Sequence, residues 1–333
     1  MNLYIDKNNT LSLLSQKDID FREDCIKMMK KHLDVYFNFS KSEVPKNESL
    51  LSLLKILTSG VGTTSKKFME DAIPSRPLSL DCHQGMSFKK LVSMYLADDD
   101  NIKKVQQVGA INLGGVGEEF ELFNRIFLLN REYKFERKFR IGKPTKGNLV
   151  PFFERWEDLS EFSYPMSDIL IIDSYILDDK SLLSSNFYKL LEIFGSIPRH
   201  CLNIIIYTNH SNINVSFGEL ERYVKKLFKK NIGYIPNITL IPVRSQRDIK
   251  SLVEHDRTIL TNSYRIYSGD SFNYFNSKGE KITKGKEISF SSLGDRDNYL
   301  LAESLLSDVQ EALNFLDAKS VLGDKTSNFL TFK

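Results

Sequence analysis

One stretch of the 333-residue chain concentrates side chains that can bind or attack a phosphate group. In chain order these residues are His255, Arg257, Asn262, Gly269, Ser271 and Asn273. Residues two apart on a strand face the same way, so His255 and Arg257 should project into one pocket. There a histidine can attack phosphorus, and a guanidinium can stabilise the charge on the phosphoryl oxygens. We expect Gly269 to let the next strand approach closely, while the Ser271 hydroxyl and Asn273 amide donate to phosphate. This chemistry requires no metal ion or cofactor.

The spacing of these residues resembles the signature of the phospholipase D superfamily, the HKD motif, in a degenerate form. That signature has histidine, one residue, lysine, four residues, aspartate, six residues and glycine; here Arg257 replaces the lysine and Asn262 the aspartate. The run His255-Asp256-Arg257 and the aromatic stretch 272–275 are most similar to the phospholipase-D-like C-terminal domain of MIT-domain proteins, which is regarded as non-hydrolytic and lipid-associated. The resemblance covers about residues 165–316. It implies catalytic positions at His255, Arg257 and Asn262, with His255 as the nucleophile, and a phosphate site that adds Gly269, Ser271 and Asn273.

The two substitutions favour binding over turnover. Arg257 keeps the positive charge and adds bidentate geometry for phosphate, but it cannot move a proton as lysine can. Asn262 lacks the carboxylate that supports a catalytic histidine in the family. Complete enzymes of the superfamily use two such motifs and this chain shows one, so catalysis would require a homodimer that pairs two His255 residues.

Three functions therefore stay open. The favoured one is a module that binds a phosphate-containing ligand, with nucleic acid or a protein–nucleic-acid assembly ahead of lipid. The alternatives are a metal-independent phosphodiesterase or nuclease acting as a homodimer through His255, and a protein that binds phosphoinositide-like membrane lipids. The simplest alternative for the motif itself is an ordinary surface ion pair of Asp256 with Arg257 or Arg265.

A basic strand supports the nucleic-acid hypothesis. Residues 131–146 carry seven basic side chains against two acidic ones, interleaved with aromatic residues. The period-two pattern from 133 to 140 predicts a strand on which Lys134, Lys138 and Arg140 share one face and could contact phosphates. The aromatic residues on the other face, Phe139 among them, should fill the core.

The remaining pattern predicts an α/β protein of two domains. An N-terminal α/β domain of unknown role (1–150), which could hold a protein partner, opens with strands at 3–6 and 33–39 and helices at 18–32 and 49–57. Asp6 at the end of the first strand either lines a ligand crevice or starts a turn, and the turn is favoured. A phospholipase-D-like domain (165–316) should contain a mixed, largely parallel sheet covered by helices. We expect the polar tail 317–333 to fray.

That second domain is predicted from a clear alternation of apolar strands and amphipathic helices. The predicted strands are 169–172, 204–206, 238–243, 257–261 and 264–267, and the predicted helices are 182–194, 217–227 and 298–315. The boundary between the domains is expected within 142–165, where turn-forming residues interrupt regular structure.

Composition narrows the class of protein further. Hydrophobic residues make up 41% and charged residues 27% of the chain, which are values for a globular protein. The first residues do not resemble a signal peptide, and no apolar run reaches about 18 residues, so a cytoplasmic location is expected. Three widely spaced cysteines indicate reduced thiols and no structural zinc site.

Overall fold

The structure is a computed structural model that divides into two compact units, residues 1–133 and 134–333. The residues it describes are 2–31, 33–60, 65–68, 93–96, 111–112, 136–143, 150–163, 166, 168–196, 202–244, 257–283, 287–293, 295–327 and 329–332. Within these ranges, no helix combines the length and the apolar character that crossing a membrane requires.

The first unit contains a five-stranded parallel sheet in the order β3-β2-β1-β4-β5. Its strands are β1 (Asn2–Asp6), β2 (Asp34–Asn38), β3 (Lys66–Phe68), β4 (Ser93–Leu96) and β5 (Ile111–Asn112). Its described helices are α1 (Lys7–Leu14), α2 (Ile19–Lys31) and α3 (Glu48–Thr58). The predicted opening of strand, helix, strand and helix is confirmed, with α1 as an additional helix directly after β1.

Local sequence explains where these helices begin. The Asp6 carboxylate accepts hydrogen bonds from the Asn9 backbone N–H (2.7 Å) and from the Asn9 amide, so it caps the start of α1. The Asn47 side chain likewise accepts from Leu50 N–H at the start of α3, whose buried residues follow at helical spacing. Asp6 therefore begins a turn into a helix, as the favoured alternative predicted.

The second unit is built on a nine-stranded mixed sheet in the order β14-β10-β9-β8-β11-β12-β13-β6-β7. Its strands are β6 (Glu136–Ile141), β7 (Phe152–Phe153), β8 (Asp168–Ile172), β9 (Asn203–Asn209), β10 (Asn237–Val243), β11 (Arg257–Thr261), β12 (Tyr264–Ser268), β13 (Glu287–Ser292) and β14 (Leu322–Gly323). Its described α-helices are α4 (Phe187–Phe194), α5 (Phe217–Asn231) and α6 (Arg296–Phe315).

The expectation of a largely parallel sheet is wrong for most of this sheet. Strands β10, β9 and β8 form a parallel block, and β6 pairs in parallel with β7 at the other end of the sheet. Every other described pairing is antiparallel. The reason is the connection between strands, because parallel neighbours need a long crossover whereas antiparallel neighbours do not. Only two residues, Asn262 and Ser263, separate β11 from β12, which therefore form an antiparallel hairpin.

The apolar core of the second unit follows directly from strand composition. Strands β8, β9 and β10 are buried along almost their whole length, which is why they read as continuous apolar runs. Strands β6, β12 and β13 alternate instead between buried and accessible residues. One face of this antiparallel part therefore packs on the core and the other is accessible.

Three boundaries differ from the sequence-based expectation. Strand β6 pairs with β13, which the pattern did not predict, so it belongs to the second unit although the expected first domain reached residue 150. Helix α4 begins at Phe187 and not at residue 182. The tail does not fray, because β14 pairs with β10 and the side chains of Phe329 and Leu330 are buried.

Candidate phosphate-binding site

Arg257 lies at the edge of the second sheet where β8 ends. Strand β11 is antiparallel to β8 and pairs Thr258 with Ile172, so the preceding residue, Arg257, lies beside Asp173. The carboxyl ends of β9 and β10 lie along the same edge, because these strands are parallel to β8. In α/β proteins this edge is where ligand crevices form.

A buried carboxylate, Asp173, organises the loop that follows β12. It accepts hydrogen bonds from the Ser271 hydroxyl (2.9 Å), the Phe272 backbone N–H (2.8 Å) and the Tyr175 backbone N–H (2.8 Å). The side chain is fully buried. Sequence reasoning assigned no role to Asp173, although a polar residue directly after a continuous apolar strand was a usable signal.

The environment of Asp173 makes it titratable near neutral pH. Burial raises the pKa of its carboxyl group from 3.8 to about 6, while the three hydrogen bonds and the charge of Arg257 act in the opposite direction. Because the Ser271 hydroxyl donates its only proton to Asp173, Ser271 cannot donate to a phosphate while that carboxylate is ionised.

Arg257 is held in place but keeps hydrogen-bonding capacity. Its Nη1 donates to the Gly269 carbonyl oxygen (3.2 Å), and the guanidinium carbon lies 5.9 Å from the centre of the Tyr175 ring. Within the described part of the chain its Nε is buried without a hydrogen-bond partner. A buried guanidinium N–H without a partner is costly, so the position of Arg257 carries an energetic penalty.

Asn273 completes the cluster around Tyr175. Its Nδ2 donates one proton to the Tyr175 carbonyl oxygen (2.7 Å), which leaves the second amide proton for a ligand. Its Oδ1 is buried and has no hydrogen-bond partner among the described residues. The structure thus brings Arg257, Ser271 and Asn273 together around Tyr175 and Asp173.

Gly269 belongs to the cluster for a different reason from the expected one. A Cβ atom added at Gly269 would meet no atom of the described residues within 4 Å, and Gly269 has no positive φ. The expected close approach of a strand is therefore absent from the described part of the chain. Its contribution is the carbonyl oxygen that accepts from Arg257.

Asn262 does not lie in the cluster. It is buried at the turn between β11 and β12, where its Oδ1 accepts from the Asp168 backbone N–H (3.2 Å) at the start of β8. Five residues of extended chain separate it from Arg257, a distance of about 16 Å. A catalytic position at Asn262 is inconsistent with this geometry, because its side chain lies where β8 begins and Arg257 lies where β8 ends. His255, the expected nucleophile, lies outside the described residues.

The predicted basic strand exists, and its two faces divide as expected. Lys138 and Arg140 are exposed on β6, and Phe139 between them is buried against the rings of Phe162 and Phe290. Lys138 also lies 3.4 Å from the Glu136 carboxylate. Lys134 lies outside the described residues.

The basic strand and Arg257 are on opposite faces of the sheet. Directly paired residues of antiparallel strands share a face, and one such row joins Arg257, Ser268, Ile288 and Phe139. Lys138 and Arg140 are next to Phe139 and therefore face the other way. Strand β6 is also three strands, about 14 Å, from β11. The structure does not bring these two sets of cations onto one surface.

Together these contacts describe a cationic edge cluster of Arg257, Tyr175, Asn273, Ser271 and Asp173. It offers guanidinium and amide donors and an aromatic ring, and it contains one buried acid. Comparison of the chain with models of protein families and with curated protein sequences finds no match.

Proposed function

We propose that the second unit binds a phosphate-containing ligand through the cationic edge cluster, and that nucleic acid is favoured over lipid. The observation that carries this proposal is the position of Arg257 at the carboxyl edge, where it is anchored at Gly269 and lies over the exposed ring of Tyr175. A planar guanidinium fixed in this way can present two parallel N–H groups to one phosphate.

The preference for nucleic acid comes from Tyr175. Its side chain is 43% exposed and lies under the Arg257 guanidinium, so an aromatic surface and a phosphate donor are adjacent. Single-stranded nucleic acids use this combination, because bases stack on aromatic rings while cations contact the backbone. A lipid headgroup has no aromatic base to place on the ring.

Binding is favoured over catalysis because the described residues of the cluster include no histidine that could attack phosphorus. The Ser271 proton is directed to Asp173, and the expected supporting residue Asn262 lies at the other edge of the sheet. The alternative of a metal-independent phosphodiesterase depends on His255, which would act as nucleophile across a homodimer.

The experiment compares two arginines that have similar local contacts on opposite faces. Arg257 lies over Tyr175 and Arg265 lies over Tyr267, with 5.5 Å between the Arg265 guanidinium carbon and the ring centre. Affinity for a fluorescent single-stranded oligonucleotide and for phosphoinositide vesicles would be measured in EDTA for Arg257→Ala and Arg265→Ala. We expect Arg257→Ala to weaken oligonucleotide binding at least about tenfold, the loss of a hydrogen bond to a charged group.

The other outcomes discriminate between the alternatives. The slope of log K against log salt concentration should be smaller by about 0.7 in Arg257→Ala if one phosphate contact to a single strand is lost. Weaker oligonucleotide binding in Arg265→Ala, or in a variant neutralised at Lys134, Lys138 and Arg140, would place the nucleic acid on the other face of the sheet. That result would refute binding at the cationic edge cluster. Vesicle binding alone would favour the lipid alternative. Oligonucleotide cleavage that disappears in His255→Ala would establish the phosphodiesterase.

A further inference from the structure

A second cleft opens at the carboxyl ends of β9 and β10. Its volume is about 360 Å³, within the range of small-molecule sites. The wall includes His210, Arg244, Phe315, Asp317, Lys319 and Leu322. They come from the ends of two strands, the end of α6 and the segment that follows it.

The fold brings three basic residues to this cleft. Strands β9 and β10 are parallel and pair Asn209 with Val243, so the next residues, His210 and Arg244, leave the sheet side by side. Lys319 joins them from a short 3-10 turn after α6, at Ala318–Ser320. All three residues are exposed. In the described part of the chain, neither Arg244 nor Lys319 forms a side-chain ion pair.

The acidic residue of the wall has a local role. The Asp317 carboxylate accepts a hydrogen bond from the Lys319 backbone N–H (3.0 Å) and caps the 3-10 turn. Arg244 and Lys319 outnumber this single carboxylate, so the charged side chains of the wall carry an excess of positive charge. Such a site favours an anion with several acceptor oxygens.

An aromatic ring stands at the rim of the same cleft. Phe315, the last residue of α6, is 71% exposed, more than any other large apolar side chain among the described residues. Leu322 on β14 adds a second partly exposed apolar side chain. A phenylalanine ring beside cations provides a stacking surface next to a phosphate site.

We propose that this cleft binds a nucleotide, with the phosphate contacted by Arg244 and Lys319 and the base stacked on Phe315. The site is separate from the cationic edge cluster, because β9 and β8 lie between β10 and β11, a separation of about 14 Å. Because the two sites are separate, the proposal does not depend on nucleic-acid binding at the cationic edge cluster. The ligand could be a free mononucleotide or the terminal nucleotide of a nucleic acid, since both contain a phosphate and a base.

The test measures binding of adenosine 5′-phosphate, ribose 5-phosphate, adenosine and a short oligonucleotide to the full chain by calorimetry. We expect adenosine 5′-phosphate to bind at least tenfold more tightly than ribose 5-phosphate or adenosine. Phe315→Ala, and separately the double variant Arg244→Ala with Lys319→Ala, should each weaken that binding at least tenfold. A 5′-phosphorylated oligonucleotide that competes better than the mononucleotide would identify a chain terminus as the source of the ligand.

A control variant separates this site from general charge effects. Lys278→Ala removes an exposed lysine outside the cleft and should bind adenosine 5′-phosphate as the unmodified protein does. Absence of adenosine 5′-phosphate binding, or unchanged binding in the Phe315 and double variants, would overturn the proposal. Equal affinity for ribose 5-phosphate would also overturn it, since the base would then make no contact.

Discussion

Replacing Asp173 by asparagine should change the pH dependence of the stability of the second unit. Burial raises the carboxyl pKa from 3.8 to about 6, so the folded state holds the proton more tightly than the unfolded chain does. The resulting stabilisation is complete below about pH 4 and is lost as the pH rises through about 6. At 1.36 kcal/mol per pH unit the difference amounts to about 3 kcal/mol.

Asparagine has the same shape but cannot ionise. It loses one acceptor, so one of the donors now directed at Asp173 is left without a partner, at a cost of about 1–3 kcal/mol that does not depend on pH. The stability of the unmodified protein minus that of Asp173→Asn should therefore fall by about 2 kcal/mol between pH 4 and pH 7.5.

The single tryptophan makes this measurement specific to the second unit. Trp156 is buried and stacks on Tyr274, with 5.4 Å between ring centres and an angle of 16° between the planes. Urea unfolding followed by tryptophan fluorescence at four pH values would supply the free energies of unfolding. Arg257→Ala should shift the transition to higher pH, because the charge of Arg257 lowers the Asp173 pKa. A stability difference that stays constant from pH 4 to pH 7.5 would refute the assignment.

Two further predictions separate structural from ligand-binding roles. Asn262→Ala should destabilise the second unit by about 1–3 kcal/mol, because the Asp168 backbone N–H loses its acceptor. Equilibrium unfolding would measure this loss. Any change in the ligand affinity of the cationic edge cluster would contradict the position described for Asn262. Gly323→Ala should destabilise the docked tail by at least about 1 kcal/mol, since Gly323 has a φ of +98° and a Cβ there would overlap the Ile238 carbonyl oxygen. Limited proteolysis would detect the released tail, and resistance equal to that of the unmodified protein would count against this reasoning.

Much of the secondary structure could be predicted because burial leaves a direct trace in the sequence. The apolar runs at 169–172 and 204–206 correspond to β8 and β9, which are buried on both sides. Strand β13 was missed because its serines alternate with only two large apolar residues, Ile288 and Phe290. Its pairing with β6 and β12 stabilises a segment whose own pattern is weak.

The residue types and part of the short-range geometry of the candidate site follow from the sequence. Arg257, Gly269, Ser271 and Asn273 belong to one hairpin and its following loop, and they were expected together and lie together, whereas Asn262 does not join them. The two faces of β6 were predicted for the same reason, because alternation along one strand depends only on local backbone geometry.

Which of these local features share a surface depends on tertiary structure. Asp173 belongs to the cluster although it lies 98 residues before Ser271 in the sequence, and its carboxylate accepts a hydrogen bond from the Ser271 hydroxyl. The pairing register across β11, β12, β13 and β6 sets Lys138 and Arg140 on the face opposite Arg257. Register and strand order arise from the packing of distant segments, and a shift of one residue would exchange the faces. No local pattern carries that information.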